Sequence, residues 1–143
     1  MAASKAQMNW SAVGFTPTGG SLIPFGRVLE VQVDQGGSLK ELSGDADKYP
    51  TLMVNDMNNP KVTVRGNDVA TLQGLGVGTV GTLTATHNDA KLASGGAIVY
   101  TMSNAVVENA PGGGSHAEYG EATVSFKLFS NDGVTSPIAI TRV

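Results

Sequence analysis

Short runs in which apolar and polar residues alternate, separated by turn residues, restrict this chain to a β fold. The clearest run covers residues 122–128, where the apolar members are Ala122, Val124, Phe126 and Leu128. Such alternation gives a strand one apolar face and one polar face. Nineteen glycines among 143 residues supply the turns between runs. The pattern predicts an all-β chain of antiparallel sheets, arranged as a β-sandwich or in a barrel-like form.

Further runs of this kind place strands along most of the chain. They are predicted at Arg27–Asp34, Thr51–Val54, Lys61–Arg65, Val80–Thr86, Ala97–Val107, Tyr119–Phe129 and Pro137–Val143. We expect the last four to form a β meander. The second and third are expected to form a hairpin, because residues 55–60 are rich in Asn, Asp and Pro.

One short helix is expected beside the sheet. Val69, Leu72 and Leu75 share a helical face after Asn67-Asp68, which predicts a capped helix over Asp68–Gln73. Gly74, Gly76 and Gly78 end this segment. Their order after a helix is the reverse of a phosphate-binding loop, in which glycines precede a helix.

The first 26 residues predict an extended N-terminal arm. Glycines and prolines recur there too closely for a long regular element. The segment nevertheless carries more apolar residues than a disordered tail would. We therefore expect residues 1–26 to pack against another subunit, with contacts from Trp10, Phe15 and Phe25.

Two polar features follow the arm. Glu30, Gln32 and Asp34 form the polar face of the predicted strand Arg27–Asp34. Residues 36–50 are the most polar stretch of the chain and are expected to form a long loop. Its charged residues are Lys40, Glu41, Asp45, Asp47 and Lys48.

Composition excludes several classes of function. The sequence has no cysteine, so disulfides, thiolate metal sites and cysteine nucleophiles are ruled out. A formal net charge of −3 gives no bulk attraction to nucleic acid. No apolar run has the length of a signal peptide or a membrane span. We expect one domain over residues 1–143, made in the cytosol.

Residues with catalytic chemistry are few and lack specific spacing. His87 and His116 are the only histidines, and neither belongs to a His-x-x-x-His pattern. Ser115 lacks the final glycine of a nucleophile elbow. We therefore predict no enzyme activity, no catalytic or metal site and no cofactor.

The second part of the chain, residues 60–143, resembles the tail tube proteins of tailed bacteriophages. Four segments carry the resemblance, namely Gly78–Thr84, Gly96–Val107, His116–Phe126 and Asp132–Ile138. The resemblance implies a β-sandwich with one flanking helix, and six subunits that close into a ring. Rings of that family stack into a hollow tube that conducts DNA during ejection.

Several expectations about place and partners follow from this resemblance. The protein would be made in the host cytoplasm and located in the virion tail, in contact with itself and with sheath, baseplate and tail terminator proteins. Glu30, Gln32 and Asp34 would face the lumen, where about −18 of formal charge per six-copy ring would repel DNA phosphates. Residues 36–50 would contact the next ring through Lys40, Glu41, Asp45, Asp47 and Lys48.

Two other classes of function remain open from the sequence. A virion decoration or fibre-base protein would also be rich in β structure and free of cysteine, but would form trimers. A carbohydrate-binding β-sandwich would need exposed aromatic side chains. One tryptophan and three tyrosines offer few of them.

Overall fold

The computed structural model describes residues 10–46, 48–50, 52–55, 57–88, 97–113 and 120–142. Almost all regular structure in them is β. The strands are β1 Trp10–Pro17, β2 Ile23–Pro24, β3 Val28–Asp34, β4 Leu39–Leu42, β5 Leu52–Asn55, β6 Lys61–Gly66, β7 Val80–Asn88, β8 Ala97–Asn109, β9 Gly112–Gly113, β10 Glu121–Leu128 and β11 Ile138–Arg142. One helix, α1, spans Val69–Gln73. The predicted all-β fold with one short helix is confirmed.

Nine strands form one antiparallel sheet, and seven of them follow one another in the order β2-β1-β7-β8-β10-β6-β3. β11 pairs with β8 and β9 pairs with β10, both off this path. The two ends of the order approach each other, because β1 contacts β3. The sheet therefore curls around a common interior and has a barrel-like form.

The interior is filled by the apolar faces of the strands. Phe15 on β1 and Phe126 on β10 are completely buried, and their ring centroids lie 5.3 Å apart across the interior. Val62 and Val64 on β6 and Leu83 on β7 are also fully buried. The alternation in residues 122–128 correctly predicts this burial, since its four apolar members all belong to the core.

Strand β8 changes partner halfway along its length. Ile98–Met102 pairs with β11, whereas Ala105–Asn109 pairs with β10. Asn104 lies between these halves with φ +55°, where the register against β7 also shifts. The predicted meander is thus correct for β7, β8 and β10. The meander is wrong for β11, which pairs with β8 and not with β10. This pairing is possible because β10 covers only half of the β8 edge.

The predicted N-terminal arm is wrong from Trp10 onward. Residues 10–17 form β1, which pairs with both β2 and β7. Phe15 and Phe25 are buried in the core of their own chain, and Trp10 packs at its margin. The glycines and prolines of this segment argue locally against a strand. The strand forms because a long-range pairing with β7 holds the segment extended. Residues 1–9 of the predicted arm lie outside the described residues.

Helix α1 lies where the spacing of apolar residues predicts it. Leu72 and Leu75 are buried, and Val69 packs against the core. The predicted side-chain cap is wrong, because Asp68 makes no capping hydrogen bond to the helix. Its Oδ2 instead accepts a hydrogen bond from the Gly26 backbone N–H at 3.1 Å. The residue thus ties the segment before β3 to the helix.

Residues 36–50 are not the long loop that their polarity predicts. They contain β4, which pairs with β5 in a separate two-stranded sheet. The predicted hairpin between Thr51–Val54 and Lys61–Arg65 is also wrong, since β5 pairs with β4 and β6 pairs with β3 and β10. We refer to residues 39–55 as the hairpin.

Candidate assembly surfaces

The outer face of β3, β6 and β10 carries most of the charged residues of the sheet. Glu30, Gln32 and Asp34 all belong to this face, as predicted from the alternation in β3. Register places Glu30 opposite Arg65, Gln32 opposite Thr63 and Asp34 opposite Lys61. This arrangement brings the polar residues of three strands together, and we call it the charged face.

Ion pairs run across the charged face. Arg65 lies between two carboxylates, with Nη2 3.3 Å from Glu30 Oε2 and Nη1 3.4 Å from Glu121 Oε2. Gln32 donates a hydrogen bond to Glu30 at 2.5 Å. Lys127 Nζ lies 3.6 Å from Glu108 Oε1. All these side chains are substantially exposed, so each pair adds little to stability.

The charged face is therefore close to neutral, in contrast to the acidic surface that the β3 sequence suggests. Its carboxylates are Glu30, Asp34 and Glu121, its cations are Lys61, Arg65 and Lys127, and Glu108 of β8 borders it beside Lys127. Sequence reasoning missed these cations because they come from β6 and β10, and the registers of β6 against β3 and of β10 against β6 could not be known. Repulsion of an anion by this face would be weak.

The hairpin exposes apolar side chains on both of its faces. Opposed residues of an antiparallel pair share a face. Lys40, Leu42, Leu52 and Val54 therefore form one face, which we call the apolar hairpin face, and Leu39, Glu41, Met53 and Asn55 form the other. Each of the five apolar side chains is between 44% and 65% exposed. A lone two-stranded hairpin is marginal in water, which favours a partner surface for it.

Of the charged residues predicted to bridge rings, four fall on or beside the hairpin strands. Lys40 and Glu41 are part of β4, and Asp45 and Lys48 are exposed in the turn. Asp47 lies outside the described residues. Sequence reasoning selected these charges and gave no contact role to the exposed apolar side chains of β4 and β5. The signal available was the pair of leucines at 39 and 42, which a solvated loop does not need.

The neck of the hairpin, which we define as residues 35–38 and 57–60, is held by a few hydrogen bonds. Asp34 Oδ1 accepts a hydrogen bond from Gly36 N–H at 2.8 Å. Asn59 N–H donates to the Gly36 carbonyl oxygen at 2.9 Å, which closes the neck. Gly36 has φ +64°, a conformation that favours glycine. This turn directs the hairpin away from the end of β3.

A cleft opens beside the neck. Its volume is about 390 Å³, and its lining is mixed: polar residues, among them Asn58, Thr135 and Ser136, lie beside the apolar Met57, Phe129, Val134, Pro137 and Ile138. Two of these side chains are also strongly exposed to solvent, Met57 at 65% and Val134 at 89%. The cleft separates the neck from the loop that joins β10 to β11, so it lies at the same end of the sheet as the hairpin.

Asp132 organises the loop on the far side of this cleft. Its Oδ1 accepts hydrogen bonds from the N–H groups of Val134 and Thr135, each at 2.8 Å. Ser130 Oγ also donates to Oδ1, and Thr135 Oγ1 donates to Oδ2 at 2.7 Å. These bonds, led by the one from Thr135 N–H, hold the pKa of Asp132 well below its usual range. The loop thus presents Val134 in a fixed conformation.

Replacing Asp132 by asparagine should lower the melting temperature by a few degrees at pH 7. The folded state depresses the pKa of Asp132, so its contribution is fully present above the unfolded value near 4 and is lost gradually as pH falls from there through the folded-state pKa. The difference between wild type and Asp132→Asn should therefore shrink below about pH 4. Thermal melts from pH 3 to 7 would measure it, with Asp45→Asn as control. A difference that stays constant with pH would contradict the assignment.

Side chains that could bind a metal ion do not converge in the part of the chain that the structure describes. No group of three or more His, Cys, Asp or Glu side chains in it could hold a metal ion. His87 packs edge-on against Trp10, with ring centroids 4.8 Å apart, and His116 lies outside the described residues. No helix among those described is long and apolar enough to cross a membrane.

Comparison with known proteins identifies the fold. No protein-family model and no curated protein matches the chain. Among solved structures, the chain is similar to one in the cryo-EM structure of the anti-feeding prophage (AFP) baseplate, 6-fold symmetrised. The TM-score is 0.57 at 9% sequence identity, and the match covers 99% of this chain and 97% of that chain. The likeness shows a shared fold over nearly the whole of both chains.

Proposed function

We propose that this protein is a structural, non-enzymatic component of a phage-like tail. The observation that carries the proposal is the match of fold over 99% of the chain to a protein of a six-fold symmetrised tail-like baseplate. The resemblance of residues 60–143 to tail tube proteins supports the same class.

Within this class we propose that six copies close into a ring and that rings stack into a hollow tube. The sheet leaves strand edges, at β2, β3 and β11, that neighbours can continue, and a closed ring protects such edges. The charged face, with Glu30, Gln32 and Asp34, is the candidate lining of the lumen. Its near neutrality would let DNA pass with little attraction.

The purified protein tests the proposal directly. We expect hexameric rings or hollow stacked tubes in negative-stain electron microscopy, and a mass of six chains or a multiple of it by light scattering. A stable monomer would contradict the proposal. A compact trimer would also contradict it and would favour a decoration or fibre-base protein.

Removal of the hairpin should abolish this assembly without unfolding the chain. Replacing residues 39–55 by Gly-Ser-Gly removes exposed residues that are not part of the core. The melting temperature of the monomer should change little, whereas rings and tubes should be lost. Light scattering and thermal melts of the same sample would measure both. Intact tubes after the deletion would show that the hairpin makes no essential contact.

The same test can be made with smaller changes. Exchanging Leu42, Leu52 and Val54 for serine removes the apolar hairpin face and retains the strands. Exchanging Asp45 and Lys48 for serine changes the turn alone and serves as the matched control. Only the first variant should lose assembly.

A further inference from the structure

The hairpin and the cleft lie at the same end of the sheet. β3 ends at Asp34, where the chain enters the neck, and neighbouring strands alternate in direction. The opposite end, where β1 ends and β7 begins, exposes Leu22 and Val77 as its large apolar side chains. The cleft, whose lining combines polar and apolar groups, is therefore beside the hairpin and not at the far end.

We propose that the apolar hairpin face of one subunit docks into the cleft of its neighbour within the same ring. This inference rests on the proposed assembly and identifies the surface that the hairpin contacts. Rotation about a ring axis keeps like ends of subunits at one level, which brings one hairpin to the next cleft. For subunits whose strands run along the ring axis, stacking of rings would instead bring the hairpin to the end that carries Val77. The interface is heterologous, so it forms a closed ring where the rotation between neighbours divides a full turn.

Charge and shape agree with this pairing. The apolar hairpin face carries one charged residue, Lys40, beside three apolar ones. The loop bordering the cleft carries the anionic Asp132 next to the exposed Val134. A cleft of about 390 Å³ is large enough to enclose apolar side chains. The hydrogen bonds of Asp132 order the loop in advance, so docking loses less conformational entropy there.

Disulfide cross-linking tests whether the hairpin docks into the neighbouring cleft. It can be applied directly, since the chain has no cysteine of its own. Leu52→Cys and Val134→Cys place one thiol on the apolar hairpin face and one at the cleft, both at exposed positions. Bonding requires the two Cα atoms to come within about 7 Å. After oxidation with oxidised glutathione, the double variant should give a ladder of linked chains that ends at six.

Controls identify the geometry of any link. A mixture of the two single variants should give only linked pairs, which proves that the bond joins different chains. A fast-migrating monomer alone from the double variant would overturn the proposal, because the hairpin would then cover its own cleft. Linking of Leu52→Cys with Val77→Cys in place of Val134→Cys would also overturn it and would seat the hairpin in the next ring.

The charge change Lys40→Glu supplies an independent readout. In the cross-linking background it should slow formation of the ladder by about three-fold, the size expected for an exposed charge pair. Lys48→Glu makes the same change in the turn and should leave the rate unaltered. Equal rates for both variants would count against the pairing. Rings or tubes seen by microscopy without a 52–134 link would overturn the proposed docking of the hairpin into the cleft and leave the proposed function intact.

Discussion

Replacement of Phe126 by alanine should destabilise the folded chain by about 3–5 kcal/mol. Phe126 is completely buried at the centre of β10 and packs against Phe15 from the far side of the interior. Its removal loses the transfer free energy of the ring and leaves a cavity that the surrounding strands can close only in part. The melting temperature should fall by roughly 10 °C or more.

Phe129→Ala is the matched control for this prediction. Phe129 lies three residues further along the chain and is 44% exposed. The same change there should cost less than about 1 kcal/mol, because little apolar surface is lost from the core. Urea unfolding of both variants would measure the difference. Similar losses at the two positions would mean that β10 does not form the centre of the core.

Local alternation predicted the strands whose partners are near in sequence or whose faces are strongly two-sided. β3, β7, β8 and β10 lie close to their predicted bounds, and Val31 and Val124 are buried on the predicted faces. α1 was predicted because three apolar residues recur at helical spacing and a glycine ends the turn. These features depend on neighbours within about ten residues, which the sequence contains explicitly.

The incorrect predictions concern segments whose structure depends on distant partners or that are too short to show a period. β1 pairs with β7 about 70 residues away, and nothing within residues 10–17 indicates that pairing. β4 pairs with β5 across a polar turn, and its four residues are too few to establish a period. Composition correctly marked both segments as unusual: the first is rich in apolar residues among many glycines and prolines, and the second is unusually polar. It could not say whether the cause was another subunit or another strand.

The candidate surfaces show the same division. The position of Glu30, Gln32 and Asp34 on one face follows from β3 alone, whereas the charge of that face depends on Arg65, Lys61 and Lys127 from neighbouring strands. The cleft is formed by the neck and by the β10–β11 loop, which are some 75 residues apart. Only the three-dimensional register brings these groups together, so sequence reasoning had no means to find the cleft.

Two properties of the hairpin are separable because its connection to the sheet is narrow. Its exposed side chains provide contact area, and the neck sets the direction in which that area is presented. A change in the neck can therefore remove assembly without loss of core packing. The glycines at positions 36 and 37 allow this distinction to be tested with the smallest possible substitution.

Gly36→Ala should abolish assembly while the core remains folded. Gly36 has φ +64°, and a Cβ at this position would overlap the carbonyl oxygen of Asn59. The left-handed conformation costs an L-residue about 1–2 kcal/mol, and the overlap involves backbone that cannot rotate away. The neck must therefore open or turn, which moves the apolar hairpin face relative to the sheet. Light scattering should show loss of rings at unchanged far-UV circular dichroism.

Gly37→Ala provides the control at the adjacent residue. A Cβ there would meet only Asn58 Oδ1, at an ordinary contact distance of 3.9 Å. This variant should assemble like wild type, because neither the backbone conformation nor the neck contact changes. If both variants assembled normally, the direction of the hairpin would not matter for assembly. If both failed, flexibility of the neck and not its direction would be the property that assembly requires.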